Sequence, residues 1–561
     1  MAGELIGLAI TDKGVVALLE PGTTGRVVDI REVARIEAED SPRWVWWNKS
    51  TARQLVEANI RPGRCWDLSA THRLIFGGGN SGPEQIWARL HELDATTIPT
   101  RAPVNLFSLA VDSGDPDEPV GPDGHLRPEW VEGEWSNTAH RALRWAELAV
   151  VAQQLQVPLV HSEATVFSES ACELLCAEME VVGLPFELGV GESIVAGFVG
   201  PRPTTAEEAN AELARRDAEV IQHLPTGSTF DLRSPDQVKS LLRRVGIEVP
   251  DTRAWRLEAL RDAHPIVEPL LAWRRAERIL TTFGFQWIDD NIATNLSGHS
   301  RLHGSWSGSD GAAGRMTATV GLHNMPAELR PAIAAEPGHV FVRADLGQIE
   351  PRILAAVAGD PKLAAASQED DMYAPVATQL RVERDIAKVA VLGAMYGQTT
   401  GKGAEALRGL EREYPIAMGF LAAADRSAQG SHDLRTYGGR LVRMGSTNSN
   451  EVSERDARSQ AAARGRYGRN AMVQGAAAEF FKTWAVLMRA RGRTLNAQIV
   501  LCLHDELLIH VPEQNGPDAA ALLDRCLQEA AHRWAPRDQA GNQPVRFVSD
   551  TSIISRWSEA K

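Results

Sequence analysis

The stretch Val340-Phe341-Val342-Arg343-Ala344-Asp345-Leu346-Gly347-Gln348-Ile349-Glu350-Pro351-Arg352 decides the fold. Apolar side chains alternate through Val340 and Val342, the period-two pattern of a strand, and Ile353-Leu354-Ala355-Ala356-Val357 continues as a short helix. Pro351 suits the first turn of that helix. Asp345 therefore stands at a strand's exit beside a helix start, where a hard cation and its ligand can reach it. Taken alone, the acid is more simply read as a surface residue capping the helix.

Two distant segments reverse that judgement. Ile499-Val500-Leu501-Cys502-Leu503 and Leu507-Leu508-Ile509-His510-Val511 are apolar, β-prone runs flanking His504-Asp505-Glu506, and they read as a hairpin. Residues 545–554 form a further strand candidate for the same antiparallel sheet. If these strands are neighbours, Asp345 and Asp505 meet at the sheet's edge. Two-metal phosphoryl transfer needs at least two such carboxylates from separate elements, holding cations about 3.5–4 Å apart. By itself His504-Asp505-Glu506 reads equally well as an ordinary polar hairpin tip.

In the second segment, Arg384, Lys388, Leu392 and Tyr396 recur every four residues and share one slowly spiralling helix face. At 1.5 Å rise per residue the stripe spans about 18 Å, roughly an extended nucleoside triphosphate. Cations at one end would hold phosphates, and an aromatic ring at the other would meet the sugar or base. Lysine is scarce, eight against 51 arginines, and an ammonium can give a proton to a leaving pyrophosphate where guanidinium cannot. For the helix alone, an exposed amphipathic face is the alternative.

At 561 residues the chain should divide into about three or four structural units. Its net charge of −14 excludes a uniformly basic surface, so any polyanion must meet a localised groove. Residues 435–469 offer one: Arg435, Arg440, Arg443, Arg455, Arg458, Arg464, Arg466 and Arg469 outnumber Glu451, Glu454 and Asp456. A solvated helical face explains them as well. There is neither an apolar run long enough to span a bilayer nor the basic start of a secretory signal, so a cytoplasmic protein is expected. The five cysteines form no CxxC pair, and Cys172/Cys176 reads as core helix rather than metal site.

Residues 5–162 alternate short strand-like pieces (5–10, 15–19, 44–47) with helical ones (50–58, 141–155), an α/β pattern. Residues 113–133, rich in Asp, Pro and Gly, read as an exposed connection. Amphipathic helices dominate from 170 to about 292, including 172–182 and 264–283, with Pro265 at the first turn of the latter. Glycine, serine and histidine crowd residues 297–314, which read as loops and tight turns. Helices then fill 361–399.

Together these segments resemble family A DNA polymerases. The family's motif A, roughly D-Y-S-Q-I-E-L-R, stands here as Asp345-Leu346-Gly347-Gln348-Ile349-Glu350-Pro351-Arg352. Motif B stands as Arg384, Lys388, Leu392, Gly393, Tyr396 and Gly397, and motif C as Leu503-His504-Asp505-Glu506. Ser234-Pro235-Asp236-Gln237 is similar to the thumb signature. Ala313-Gly314-Arg315-Met316-Thr317 and Leu322-His323-Asn324-Met325-Pro326 resemble T-G-R-L-S and L-Q-N-I-P, and Arg466, Asn470, Gln474 and Gly475 fall on the R-x-x-x-N-x-x-x-Q-G helix.

The resemblance implies an α/β exonuclease-like (RNase H-like) domain over residues 1–165, followed by an α+β polymerase right hand. Its thumb would cover 166–298, the palm 299–360 and 463–561, and the fingers 361–462. Asp345, Asp505 and Lys388 would be catalytic. Asp345, Asp505 and the Leu346 carbonyl would bind two Mg²⁺, with Mn²⁺ able to substitute. Arg384, Lys388, Leu392, Tyr396, Glu350, Gln348 and His504 would form the dNTP pocket, Glu350 as the steric gate against a ribose 2′-OH. Arg315, Arg466, Asn470, Gln474 and Asn324 would contact primer-template DNA. The expected protein is a monomeric, nucleoid-associated repair or gap-filling polymerase; a non-catalytic DNA-binding scaffold is the alternative.

Several departures carry expectations. Leu392 replaces an aromatic residue, and Leu346 and Gly347 replace Tyr and Ser, so the aromatic wall beside the sugar is expected to be missing and 3′-position discrimination should change. Tyr373 stands where the family usually has histidine. In the amino-terminal part, Trp46-Trp47-Asn48-Lys49-Ser50-Thr51-Ala52 and Cys65-Trp66-Asp67-Leu68 resemble the exonuclease domain, but Leu5-Ile6-Gly7-Leu8-Ala9 lacks the opening D-x-E. Ala52 falls where an Asp is needed, and Trp145-Ala146-Glu147-Leu148-Ala149 sits where Y-x-x-x-D belongs. Of that site's carboxylates only Asp67 is left, so no proofreading is expected, and neither is a 5′-nuclease domain within these residues.

Overall fold

Alternating apolar residues near the amino terminus build a mixed sheet. In the computed structural model β1 (Leu5–Ile10) pairs antiparallel with β2 (Val16–Leu19) and parallel with β4 (Arg43–Trp46). The outer strands are β3 (Arg26–Val28) and β5 (Arg64–Asp67), giving the order β3-β2-β1-β4-β5. The structure describes residues 5–20, 22–101, 114–224, 229–295, 297–397, 403–445, 454–535 and 544–560. The chain divides into two compact units: residues 1–182, 305–318 and 338–554 in one, and 183–304, 319–337 and 555–561 in the other.

Within the first unit, α1 (Ala139–Gln156) covers one face of the sheet, with Ala142, Ala146, Ala149 and Ala152 fully buried, and α2 (Glu163–Val182) packs beside β5. Small residues let α1 approach closely; Gly7 on β1 has no room for a Cβ, which would lie 2.9 Å from the Ala146 carbonyl oxygen. The connection expected to be exposed at 113–133 is so at residues 114–118, 122, 123 and 132, but not throughout its described part. Leu126 is 1 % exposed and Trp130 fully buried, because the indole Nε1 finds the Pro116 carbonyl and the ring joins Trp145 in the core.

The segment expected as loops at 297–314 also holds strands. β6 (Trp306–Asp310) pairs with β7 (Arg315–Ala318) in this unit, and Gly308 is packed so tightly that a Cβ would meet the Glu173 carboxyl at 3.0 Å. Glycine here signals close approach inside a strand, not a turn.

The second sheet of the unit is antiparallel. β8 (His339–Leu346) lies between β10 (Glu506–Pro512) and β11 (Ser549–Ile554), and β9 (Gln498–Cys502) pairs with β10. Phe341, Val342 and Ala344 are fully buried, and the long helix α5 (Glu454–Arg491) and α6 (Gly516–Trp534) carry the surrounding core residues Phe480, Trp484, Leu523 and Leu527. Between β8 and α5 lie α3 (Ile349–Ala358) and α4 (Arg384–Tyr396). Helices do fill the described part of 361–399, at Pro361–Ala366, Tyr373–Leu380 and α4; residues 398 and 399 lie outside the described residues.

Charge is buried where α2 meets α5. Glu169 accepts from Lys482 Nζ at 2.8 Å and pairs with Arg440, and Glu178 pairs with Arg489 at 2.7 Å, all of them 8 % exposed or less at the side chain. Removing one partner of such a pair strands the other and costs about 3–5 kcal/mol. The arginine-rich stretch is thereby corrected in part: Arg440 is internal, Arg435 and Arg443 donate to backbone carbonyls, and Arg469 pairs with Asp425.

The second unit is mainly helical, with Leu188–Val199, Ala206–Ile221, Pro235–Arg244 and Val267–Phe283 around a core of Leu241, Leu242, Leu257, Ile266 and Leu270. The last helix begins three residues later than expected, because the His264 ring accepts from the Ile266 N–H and holds the entry in a turn. A small three-stranded sheet joins Leu184–Pro185, Ser300–Leu302 and Ile292–Thr294.

Candidate active site

Register brings the acids together. In the antiparallel ladders Asp345 stands opposite Glu506 on β10 and opposite Asp550 on β11. The turn joining β9 to β10 is closed by Leu503 N–H to Glu506 O at 2.9 Å and Glu506 N–H to Leu503 O at 3.3 Å, leaving His504 and Asp505 at its tip. The Asp505 carbonyl accepts from the Leu346 N–H at 2.8 Å, which fixes that tip beside the end of β8.

Like charges crowd there. Burial first, and then Asp505, push the Asp345 carboxyl up to about 6, while Arg343 pulls the other way. Asp505 is also raised, by burial and then by Glu506. Four oxygen-rich acids that repel one another at a sheet edge fit a hard divalent cation, whose charge removes the repulsion. Asp345 and Asp505 could serve as its ligands, with Glu506 and Asp550 adjacent in the strand register.

The turn after β8 is strained. Gln348 adopts φ 54°, the left-handed region, at a cost of about 1–2 kcal/mol for a non-glycine residue. Its amide offsets this: Nε2 donates to Asp371 at 2.7 Å and Oε1 accepts from the Met372 N–H at 2.7 Å. Asp371 also pairs with Arg384 at 2.5 Å. Tyr373 lies buried with the Arg384 guanidinium 5.7 Å from its ring centroid. Gly347 has an explanation too, since a Cβ there would lie 2.9 Å from Val548 Cγ2.

Glu350 opens α3 facing α4. The Tyr396 hydroxyl donates to its two oxygens at 3.0 and 3.2 Å, and Arg315 on β7 reaches it at 3.4 Å. Gln474 is half-buried on α5. His504 is held below the usual imidazole value by burial and by Arg315. Arg384 and Lys388 are exposed one turn apart on α4, with Leu392 half-buried a turn further on. Arg466 packs against Gly397 at the end of α4, where a Cβ would meet it at 2.6 Å. Asn470 is half-buried on α5; Asn324 is exposed in the second unit, its carbonyl accepting from Arg278.

Four positions at the candidate site are not marked by local sequence pattern. Arg343 and Asp550 are visible only through strand register, and Asp371 only through its contacts with Gln348 and Arg384. Arg352, quoted in motif A without a role, is fully buried and donates to the carbonyls of Gly347, Ser367, Arg546, Glu369 and Asp370 at 2.5–3.0 Å. Asp67, in contrast, is withdrawn from solvent. It accepts from Trp46 Nε1 at 2.9 Å and from the Ala70 N–H at 2.8 Å, and burial pushes it up to about 7.

An antiparallel sheet that gathers acids at the ends of its strands, with a helix of spaced cations in the same unit, here belongs to a polymerase-domain fold. The chain belongs to DNA polymerase family A, whose profile matches residues 203–557. It is 26 % identical over 445 residues to the thermostable DNA polymerase I of Thermus caldophilus, covering 71 % of this chain and 50 % of that one. It is 27 % identical over 374 residues to DNA polymerase I of Deinococcus radiodurans, covering 59 % and 38 %. The chain thus spans about half or less of the length of these curated relatives. Among solved structures it resembles the POL domain of Pol1 from M. smegmatis, in complex with DNA primer-template and dNTP, with TM-score 0.69, 20 % identity and coverage of 100 % of this chain and 96 % of that one.

Proposed function

We propose that the protein is a template-directed DNA polymerase that adds dNTPs to a primer 3′-OH. The observation that carries this reading is the register placing Asp345 opposite Glu506 and Asp550, with Asp505 pinned beside it. Asp345 and Asp505 would hold two Mg²⁺, for which Mn²⁺ can substitute; when bound, the ions supply charge stabilisation to the attacking and leaving oxygens. The chain's own residues position the reactants. Arg384 and Lys388 bind the triphosphate, and the Lys388 ammonium gives a proton to the departing pyrophosphate. Glu350, held by Tyr396, crowds a ribose 2′-OH and so selects deoxynucleotides. Arg315, Arg466, Asn470, Gln474 and Asn324 meet the primer-template.

The amino-terminal residues 1–165 form an exonuclease-like domain, a reading supported by the mixed β3-β2-β1-β4-β5 sheet. It lacks proofreading, because Asp67 is committed to Trp46 and to capping a helix. The remaining divisions are thumb 166–298, palm 299–360 and 463–561, and fingers 361–462. Gap filling or repair by a cytoplasmic, nucleoid-associated monomer suits this architecture, and among the described residues no helix is long and apolar enough to cross a membrane.

Primer extension with Mg²⁺, comparing dNTPs with rNTPs and wild type with Asp345→Ala, tests the proposal. Extension by wild type with dNTPs alone, lost in Asp345→Ala, is expected. DNA binding without extension in either protein would leave a scaffold.

A further inference from the structure

Arg343 lies two residues before Asp345 on β8, so strand alternation puts both side chains on one face. Its side chain is 6 % exposed. Nη2 donates to Asp345 Oδ2 at 3.0 Å and to Glu506 Oε2 at 3.0 Å, and Nη1 lies 3.5 Å from Asp550 Oδ2. One fork-shaped cation therefore touches three of the four clustered acids. No step proposed above uses it.

We propose that Arg343 is a built-in counter-cation of the acid cluster, which weakens the cluster's hold on divalent metal and fixes Asp345 and Glu506 relative to each other. The inference rests on reading the cluster as a metal site. With all four acids ionised, the guanidinium reduces the charge that an arriving dication meets by a quarter, from four negative charges to three. It stands within contact distance of a principal metal-holding carboxylate, so a cation bound to Asp345 feels its repulsion at close range. The Asp345 and Asp550 side chains are 35 % and 75 % exposed, and water screens much of that repulsion. The expected consequence of removing the charge is a gain of about tenfold in metal affinity. Arginine suits the role because its planar fork can bridge two carboxylates; a lysine keeps the charge as a point without the fork.

The test is Mn²⁺ titration of the full chain without DNA or nucleotide, following the free-ion signal by electron paramagnetic resonance. Wild type, Arg343→Ser, Arg343→Lys and Asp345→Ala are compared, with far-ultraviolet circular dichroism as the check on folding. Binding about tenfold tighter in Arg343→Ser and near wild type in Arg343→Lys is the expected result. Equal or weaker binding in a folded Arg343→Ser, or Arg343→Lys as tight as Arg343→Ser, overturns the proposal. If Arg343→Ser does not fold, Arg343→Gln is judged by the same criteria. Asp345→Ala separates the two levels. Weakened binding there keeps the metal-site reading whatever Arg343 does, and unchanged binding removes that reading together with this inference.

Discussion

Changing Tyr396 to Phe removes a single hydroxyl. That hydroxyl donates to Glu350 at 3.0 and 3.2 Å, leaving Arg315, at 3.4 Å, as the carboxylate's other protein partner in the pocket. A hydrogen bond to a charged group is worth about 1.5–3 kcal/mol, and the low end applies here because both residues are only partly buried. About 1.5 kcal/mol is roughly a tenfold change in how often Glu350 is held in place. If Glu350 excludes the ribose 2′-OH from that position, preference for dATP over ATP should fall about tenfold in Tyr396→Phe, with dATP incorporation itself little changed. The assay is the ratio of kcat/KM for the two nucleotides in single-nucleotide primer extension. A ratio within about twofold of wild type, alongside a clear fall in Glu350→Ala, would refute the idea that Tyr396 holds the gate.

Arg352→Met leaves five carbonyls without their shared donor and should cost about 3–5 kcal/mol in urea unfolding; a loss below about 1 kcal/mol would mean that water replaces the guanidinium. Gly347→Ser, which restores the family residue, should cost about 1–3 kcal/mol because its Cβ meets Val548, and Val548→Ala in the same chain should recover most of that loss. Asp67, Asp345 and Glu479 are all raised chiefly by burial, to about 7, about 6 and about 7. A raised acid contributes stability that is fully present below its unfolded pKa, near 4, and is lost as pH rises through 6 to 7. Metal-free protein should therefore melt higher at about pH 5.5 than at about pH 8, and Asp67→Asn should shrink the difference. An unchanged difference would remove Asp67 from the account.

The parts of the site legible in the sequence were those written as local pattern. Asp345 and Asp505 end alternating apolar runs, and Arg384, Lys388, Leu392 and Tyr396 repeat at helical spacing, so their elements could be drawn before their contacts were known. What stayed hidden depends on partners far along the chain. Asp550 joins the acids only because β11 pairs with β8 in one register, and Arg343 looks like an ordinary strand residue until that register is known. Gly347 reflects Val548, about two hundred residues later in the chain. Composition misled in two places. Glycine and serine at 306–310 suggested turns but let a strand approach Glu173, and the Asp- and Pro-rich connection conceals Trp130, whose burial outweighs its polar neighbours.

The most direct test of the two-carboxylate account is single-turnover incorporation of one dNTP on a primer-template with Mg²⁺, comparing wild type with Asp345→Ala and Asp505→Ala. Loss of about a thousandfold or more in the rate for each variant, with primer-template affinity retained, is the predicted result. Incorporation by either variant within about tenfold of wild type would contradict it.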